Sequence, residues 1–211
     1  MRSDDSNAFR DELERALPAF GLPPLAEKQL DQLTAHYSLM MEWNRRVNLT
    51  RIEEPAAAAR FHYAESLFGC RFIAGARSVL DVGSGAGFPV VPMAVLEPGV
   101  RFTALDSNLR KTVFLEEVRD LLGLQNLDVV RARIENYDWS GYDLLVSRAL
   151  DRGEALWISV LMGLGGEQRL MLFGGSDLVF RLVERVRPTH RVVTHAIPLS
   201  EERVVSIFSK A

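Results

Sequence analysis

The first third of the chain sets its apolar residues at helical spacing. Between residues 25 and 47, Leu30, Leu33, Tyr37, Met40 and Met41 recur three and four positions apart, the stripe of an amphipathic helix. A shorter helix is expected over 6–17, and Gly21-Leu22-Pro23-Pro24 separates the two. Pro55 opens a third, over about 56–68, through the alanine run Ala56 to Ala59, which has high helix propensity. From Arg77 the pattern changes to apolar runs alternating with amphipathic stretches, the sign of parallel βαβ units. Strands are predicted over 78–82, 101–105, 127–131, 143–147 and 168–173, with helices over 89–96, 108–122, 151–163 and 176–187. Two last apolar runs, 191–197 and 203–208, joined by Pro198-Leu199-Ser200-Glu201-Glu202, read as a hairpin. The expected organisation is a helical region over 1–70 followed by an α/β domain over 71–211.

One loop carries candidate chemistry. Val79-Leu80-Asp81-Val82-Gly83-Ser84-Gly85-Ala86-Gly87-Phe88-Pro89 is a strand that ends in an acid and three alternating glycines. The glycines permit positive φ and let a ligand approach the backbone, and Pro89 suits the first turn of a following helix. The dinucleotide fingerprint is G-x-G-x-x-G with an acid about 20 residues on; here the spacing is G-x-G-x-G. Asp81, just before the first glycine, would repel a pyrophosphate but could accept from the ammonium of an amino-acid moiety. A second strand ends in Asp106, placed to accept both hydroxyls of a ribose. The pair favours S-adenosylmethionine over NAD, against the alternative of an ordinary tight strand-to-helix turn. Five parallel strands closed by a hairpin, with a cofactor across their carboxyl ends, give a Rossmann-like class I S-adenosylmethionine-dependent methyltransferase fold with a mostly parallel seven-stranded sheet and an N-terminal helical extension.

Composition narrows the setting. A chain of 211 residues buries about 70 % of its extended surface. No apolar run approaches the ~18 residues of a membrane span, and Met1-Arg2-Ser3-Asp4-Asp5 lacks a signal-peptide core, so a cytoplasmic protein is expected. The single cysteine, Cys70, excludes an internal disulfide and a multi-cysteine metal site; no metal is expected. A net charge of −3 argues against coating nucleic acid by bulk electrostatics, so RNA affinity would come from local patches. Lys28, Lys111 and Lys210 are the only lysines. The positive charge is therefore almost all arginine, which suits bidentate phosphate contact but also follows from a bias in base composition.

The end of the fourth strand, Asp143-Leu144-Leu145-Val146-Ser147-Arg148-Ala149, is where a methyl acceptor's reacting residues usually lie. It holds neither the Asn/Asp-Pro-Pro-aromatic motif of adenine amino-methylating enzymes nor the cysteine nucleophile of cytosine C5 enzymes. An acceptor that needs neither remains, and guanine N7 is one: its lone pair lies in the ring plane and carries no proton, so alignment and exclusion of water suffice. Arg148 would serve as an RNA phosphate or base clamp; the alternative is a salt bridge to Asp143 or Asp151. The segment Trp43-Asn44-Arg45-Arg46-Val47-Asn48-Leu49-Thr50-Arg51-Ile52 offers a stacking aromatic, two amides and three arginines suited to single-stranded RNA. Its plainer reading makes Trp43 and Leu49 core, Asn44 and Asn48 turn caps, and the arginines solvated.

In order along the chain, Trp43-Asn44-x-x-x-Asn48-Leu49-Thr50-x-Ile52, His62-x-x-Glu65-Ser66-Leu67, Asp81-Val82-Gly83-x-Gly85-x-Gly87-x-Pro89-x-x-Pro92, Leu105-Asp106-Ser107, Arg133-x-Glu135 and Ser147-Arg148-Ala149 resemble the RsmG (GidB) family over roughly residues 25–205. That family methylates N7 of a guanosine in bacterial 16S rRNA. The resemblance implies S-adenosylmethionine held by Asp81, Gly83, Gly85, Gly87, Phe88, Asp106, Ser107, Ile134, Glu135 and Arg148. It implies RNA contacts from Asn44, Asn48, His62, Arg133, Arg148 and Arg203, catalytic roles for Asn44 and Arg148, and the small ribosomal subunit as partner of a monomeric enzyme. The chain departs from the family at Phe173, usually lysine, at Glu65, usually Asp, and at Val90, usually Gly. A cofactor- and subunit-binding protein with weak catalysis, a small-molecule methyltransferase and, at the margin, an NAD dehydrogenase are the competing readings.

Overall fold

The structure, a computed structural model, describes residues 3–148, 153–187 and 189–211. Helices α1 (Ser3–Ala16), α2 (Glu27–Asn44), α3 (Pro55–Ala58) and α4 (Glu65–Gly69) build the first third. A π-helical turn, Ala59–Ala64, links α3 to α4, so the single helix expected over 56–68 is continuous but widened in its middle. Glu54 caps it through the amides of Ala56 and Ala57, with Pro55 in the first turn, where a missing N–H costs nothing. The second helix stops at Asn44 rather than 47, because the Asn44 side chain folds the next residues back on itself.

The remainder alternates as expected: β1 (Ser78–Val82), α5 (Val90–Leu96), β2 (Arg101–Asp106), α6 (Leu109–Leu122), β3 (Leu127–Arg131), β4 (Leu144–Ser147), α7 (Glu154–Gly163), β5 (Arg169–Gly175), α8 (Ser176–Val186), β6 (His190–Ala196) and β7 (Arg203–Lys210). Ala149 and residues 151–152, the start of the helix expected over 151–163, lie outside the described residues. The sheet order is β3-β2-β1-β4-β5-β7-β6; β1 to β5 are parallel, and β7 runs antiparallel to both β5 and β6.

Strand periodicity sorts the core into two layers. Val79, Phe102, Ala104, Leu144, Val146, Met171 and Phe173 share one core cluster with α1, α2, α4, α5 and α6, while Leu80, Val82, Leu105, Leu145, Leu170 and Leu172 share the other with α7 and α8. Phe9, Tyr37 and Tyr63 of the helical third belong to the first layer, with Phe9 stacked on Tyr37 at 4.4 Å. Phe173 is 1 % exposed. A Cβ at Gly69 would stand 2.6 Å from its ring, so a glycine there lets α4 lie directly on β5. Where the family usually carries lysine, this chain therefore has a core side chain. Strand order reverses between β1 and β4, the crevice where open α/β sheets bind ligands.

Candidate cofactor and substrate site

Asp81 leaves β1 fully buried, and neither carboxylate oxygen has a hydrogen-bond partner. Burial pushes its carboxyl well above the usual range. The chain then turns through Gly83, Gly85 and Gly87, all at positive φ. At Gly87 a Cβ would stand 2.6 Å from Val91 Cγ2, so only glycine satisfies both the backbone and the packing. Gly83 N–H donates to Leu105 O at 2.7 Å and Ser84 N–H to the same oxygen at 3.2 Å, tying the loop to β2. Asp106 closes the tie: its Oδ2 accepts from Gly85 N–H at 3.0 Å and its Oδ1 from Asn108 N–H at 2.8 Å.

The sequence reading brought Asp81, the three glycines and Asp106 to one place, and the structure puts them there. Ser107 follows Asp106 half-buried; Ile134 is buried in the second core layer and Glu135 is exposed on the same short 3-10 turn. These residues fit an amino-acid-bearing nucleoside. An ammonium would supply the counter-charge that Asp81 lacks, and each Asp106 oxygen keeps a lone pair beside its amide bond for a ribose hydroxyl.

The sequence reading passed over His36. Fully buried on α2, it reaches the glycine loop with Nε2 3.0 Å from Ala86 O and Nδ1 3.0 Å from Tyr63 Oη. A carbonyl only accepts, so Nε2 carries the proton and Nδ1 accepts from the Tyr63 hydroxyl. Burial holds the imidazole down at about 4, in the neutral form this geometry needs. The signal was a lone polar residue within the apolar stripe of α2.

Across the crevice the groups engage one another. Asn44 Oδ1 accepts from the amides of Leu49 (2.8 Å) and Thr50 (2.9 Å), while Nδ2 donates to Thr50 O (3.0 Å) and Glu53 Oε1 (2.7 Å). Both amide protons and the carbonyl oxygen thus hold the 45–53 loop. Trp43 packs edge-on against Phe114 and Leu49 against the same core layer, as the plainer reading had it; Asn48 is exposed. His62 stacks on Phe88 at 4.5 Å and pairs through Nε2 with Thr50 Oγ1 at 2.7 Å. Its Nδ1 is buried without a partner; burial, then Arg148 and Arg203, hold the ring at about 3.

Arg148 is docked onto the π-helical turn. It donates from Nη2 to Phe61 O (2.8 Å) and from Nη1 to His62 O (3.2 Å) and Ser66 Oγ (3.3 Å). Among the described residues its carboxylate partner is Glu65, at 3.3 Å, and not Asp143. Asp143 instead accepts from the Arg77 and Ser78 amides and the Ser78 hydroxyl, and Asp151 lies outside the described residues. Glu65 also meets Arg203, the first residue of β7, at 2.9 Å. Arg133 stands apart and exposed. Among the described residues no cluster of histidine, cysteine, aspartate or glutamate is placed to hold a metal ion, and no helix is long and apolar enough to cross a membrane.

Comparisons with known proteins agree with this geometry. Among solved structures, a cofactor-bound Mycobacterium tuberculosis protein superposes with TM-score 0.63 at 15 % identity, over 85 % of this chain and 89 % of that one. An S-adenosylmethionine-dependent O-methyltransferase from Thermotoga maritima gives 0.59 at 13 % identity, over 81 % and 71 %. These likenesses establish the class I methyltransferase fold. In sequence, the chain is 41 % identical to the ribosomal RNA small subunit methyltransferase G of Stutzerimonas stutzeri over 68 % of its own length and 67 % of that protein's. It is 33 % identical to the Legionella pneumophila (strain Lens) protein of the same name over 92 % and 91 %. Residues 29–177, which include Asp81, Asp106 and Arg148, match the profile of GidB, rRNA small subunit methyltransferase G, and the chain belongs to that family.

Proposed function

We propose that this chain transfers the methyl group of S-adenosylmethionine to N7 of a guanosine in bacterial 16S rRNA. One observation carries the reading: a fully buried Asp81 without an ion-pair partner among the described residues lies within electrostatic reach of Arg148, which shares Glu65 with Arg203. Bound there, the cofactor supplies an electrophilic sulfonium methyl. Asp81 receives its ammonium, Asp106 its ribose hydroxyls, and the backbone of Ile134 and Glu135 its adenine. Gly83, Gly85, Gly87 and Ser107 keep the loop close to it, while Phe88 and Arg148 wall the methyl side. The N7 lone pair needs no general base, so the remaining task is orientation and dryness. Arg203, Arg133 and Asn48 face the RNA. Asn44 and His62 act by fixing the 45–53 loop against Phe88. In this reading the enzyme is a cytoplasmic monomer, with 1–70 as the substrate-side region and 71–211 as the methyl-transfer domain.

Small subunits from cells lacking the modification, incubated with methyl-labelled S-adenosylmethionine, test the reading. Label at a guanosine N7, abolished in Asp81→Ala, is the expected result. Label elsewhere, or none despite measurable cofactor binding, overturns it. Transfer that is indifferent to ionic strength would point to a small-molecule acceptor instead.

A further inference from the structure

Glu65 is 1 % exposed, yet both guanidinium groups at the substrate side converge on it: Arg148 Nη2 and Arg203 Nη2 approach the same oxygen, Oε2, at 3.3 and 2.9 Å as ion pairs, neither aligned as a hydrogen bond. The two arginines differ in what else holds them. Arg148 has both terminal nitrogens occupied by acceptors on residues 61–66. Two of those are main-chain carbonyls of the π-helical turn, and that of His62 also accepts from Ser66 Oγ. Arg203 comes from the opposite side, at the start of β7. Its side chain is 35 % exposed and its Nε is buried with no partner. Arg148 is thus a fixed buttress, and Arg203 still has donors to offer.

We propose that Glu65 is a positioning residue that aims Arg203 at the RNA. Its single oxygen joins α4, the end of β4 and the start of β7, and it offsets one of two closely placed positive charges. Oε2 draws one Nη of Arg203 inward and turns the rest of the guanidinium toward the crevice. Without the acid, two like charges face each other in a half-buried setting and the more exposed one, Arg203, swings away. A guanidinium meets a phosphate best through two parallel donors, so direction matters as well as charge.

This inference rests on the RNA-methylating reading, and the experiment separates the two. Small-subunit particles are titrated onto the protein by filter binding with S-adenosylhomocysteine present, so that the readout is independent of turnover; KM, kcat and cofactor affinity are measured alongside. In Glu65→Gln the particle Kd and KM should rise about tenfold, with cofactor Kd within twofold of wild type. Arg203→Ala should give the same loss, and Glu65→Gln should add nothing in that background. Arg203→Lys, which keeps the charge but not the fork, should resemble Arg203→Ala and provides the test if Glu65→Gln fails to fold. An unchanged or tighter particle Kd in Glu65→Gln, additive losses in the double variant, or wild-type affinity in Arg203→Lys would overturn the proposal. A wild-type protein that binds particles but transfers no methyl group would overturn the function and leave this proposal standing on its own data.

Discussion

The two walls of the proposed site are built differently. On the cofactor wall, Asp81 has no ion-pair partner among the described residues and no well-aligned hydrogen bond, only weaker contributions from the Ser84 side chain and the Val90 amide, and Asp106 engages only loop amides. On the substrate wall, Asn44, His62, Glu65 and Arg148 engage one another or nearby backbone. Burying an ionised carboxylate unpaired is unfavourable, so the first wall stores an instability that a small cationic ligand relieves. The second ties its groups to one another and to the backbone through hydrogen bonds and ion pairs, although His62 Nδ1, both Glu65 oxygens and Arg203 Nε are buried without a hydrogen-bond partner, and this mutual contact fixes a shape. A small ligand can be met by one prepared charge, whereas a macromolecule needs a rigid surface and draws its affinity from exposed phosphate contacts.

Asp81 gives the sharpest test. Asp81→Asn should weaken cofactor binding roughly 100- to 1,000-fold, as expected for removing one partner of a buried ion pair, about 3–5 kcal/mol. The ligand-free protein should nonetheless melt no lower than wild type. A large fall in its Tm would mean that Asp81 has a structural partner and that the contrast between the walls is wrong. The pH profile adds an independent reading. His36 and His62, depressed to about 4 and about 3, bind fewer protons when folded than when unfolded below pH 6.5, so they make stability fall on acidification. Asp81, with its carboxyl raised by burial, binds more when folded and opposes that fall above its ordinary range. In Asp81→Asn the opposition is gone, and ligand-free stability between pH 6.5 and 4 should drop more steeply than in wild type. Cofactor affinity in wild type should rise with pH as Asp81 ionises.

The next effect is on stability alone. Phe173→Ala should cost about 3–5 kcal/mol, the range for a buried aromatic. Phe173→Lys should also destabilise rather than improve RNA binding, because the position lies under Gly69 in the core. Thermal melting beside particle binding decides this; tighter particle binding by a well-folded lysine variant would show that β5 contributes to the RNA surface.

Position 173 also marks the boundary of what the sequence reveals. The strands and the glycine loop were legible, because a period of two and glycines at fixed spacing are local signals. The substrate wall was not, because its meaning lies in contacts between distant residues. His36 reaches Ala86 50 positions away, and Arg148 reaches Phe61 across 87. No spacing rule joins Arg148 to Glu65 rather than to its near neighbour Asp143. The alanine run announces a helix correctly, but not the π-helical turn that presents two carbonyls to Arg148.

Asn44 probes whether the substrate wall is only a scaffold. Asn44→Ala leaves the Leu49 and Thr50 amides without their acceptor, a loss of about 1–3 kcal/mol. It should lower Tm and raise the particle KM together, with cofactor binding unchanged. If Tm holds while kcat collapses, Asn44 touches the reacting base and the division of labour fails at that residue.

The smallest expected effect lies farthest from both walls. Arg133 is exposed beside the 3-10 turn that carries Ile134 and Glu135, outside the polar network. If it meets the RNA as proposed, it contributes one counterion-releasing phosphate contact. Arg133→Ala should weaken particle binding only a few-fold near physiological salt, and should reduce the slope of log affinity against log salt by about 1. Tm and kcat should not move. The slope is the informative quantity, because the network residues hold their charges inside the protein and altering them should change affinity at every salt concentration. If Arg133→Ala shifts affinity without changing the slope, Arg133 contacts a base or the cofactor edge rather than a phosphate, and the substrate wall extends past β3 to the adenine side of the crevice.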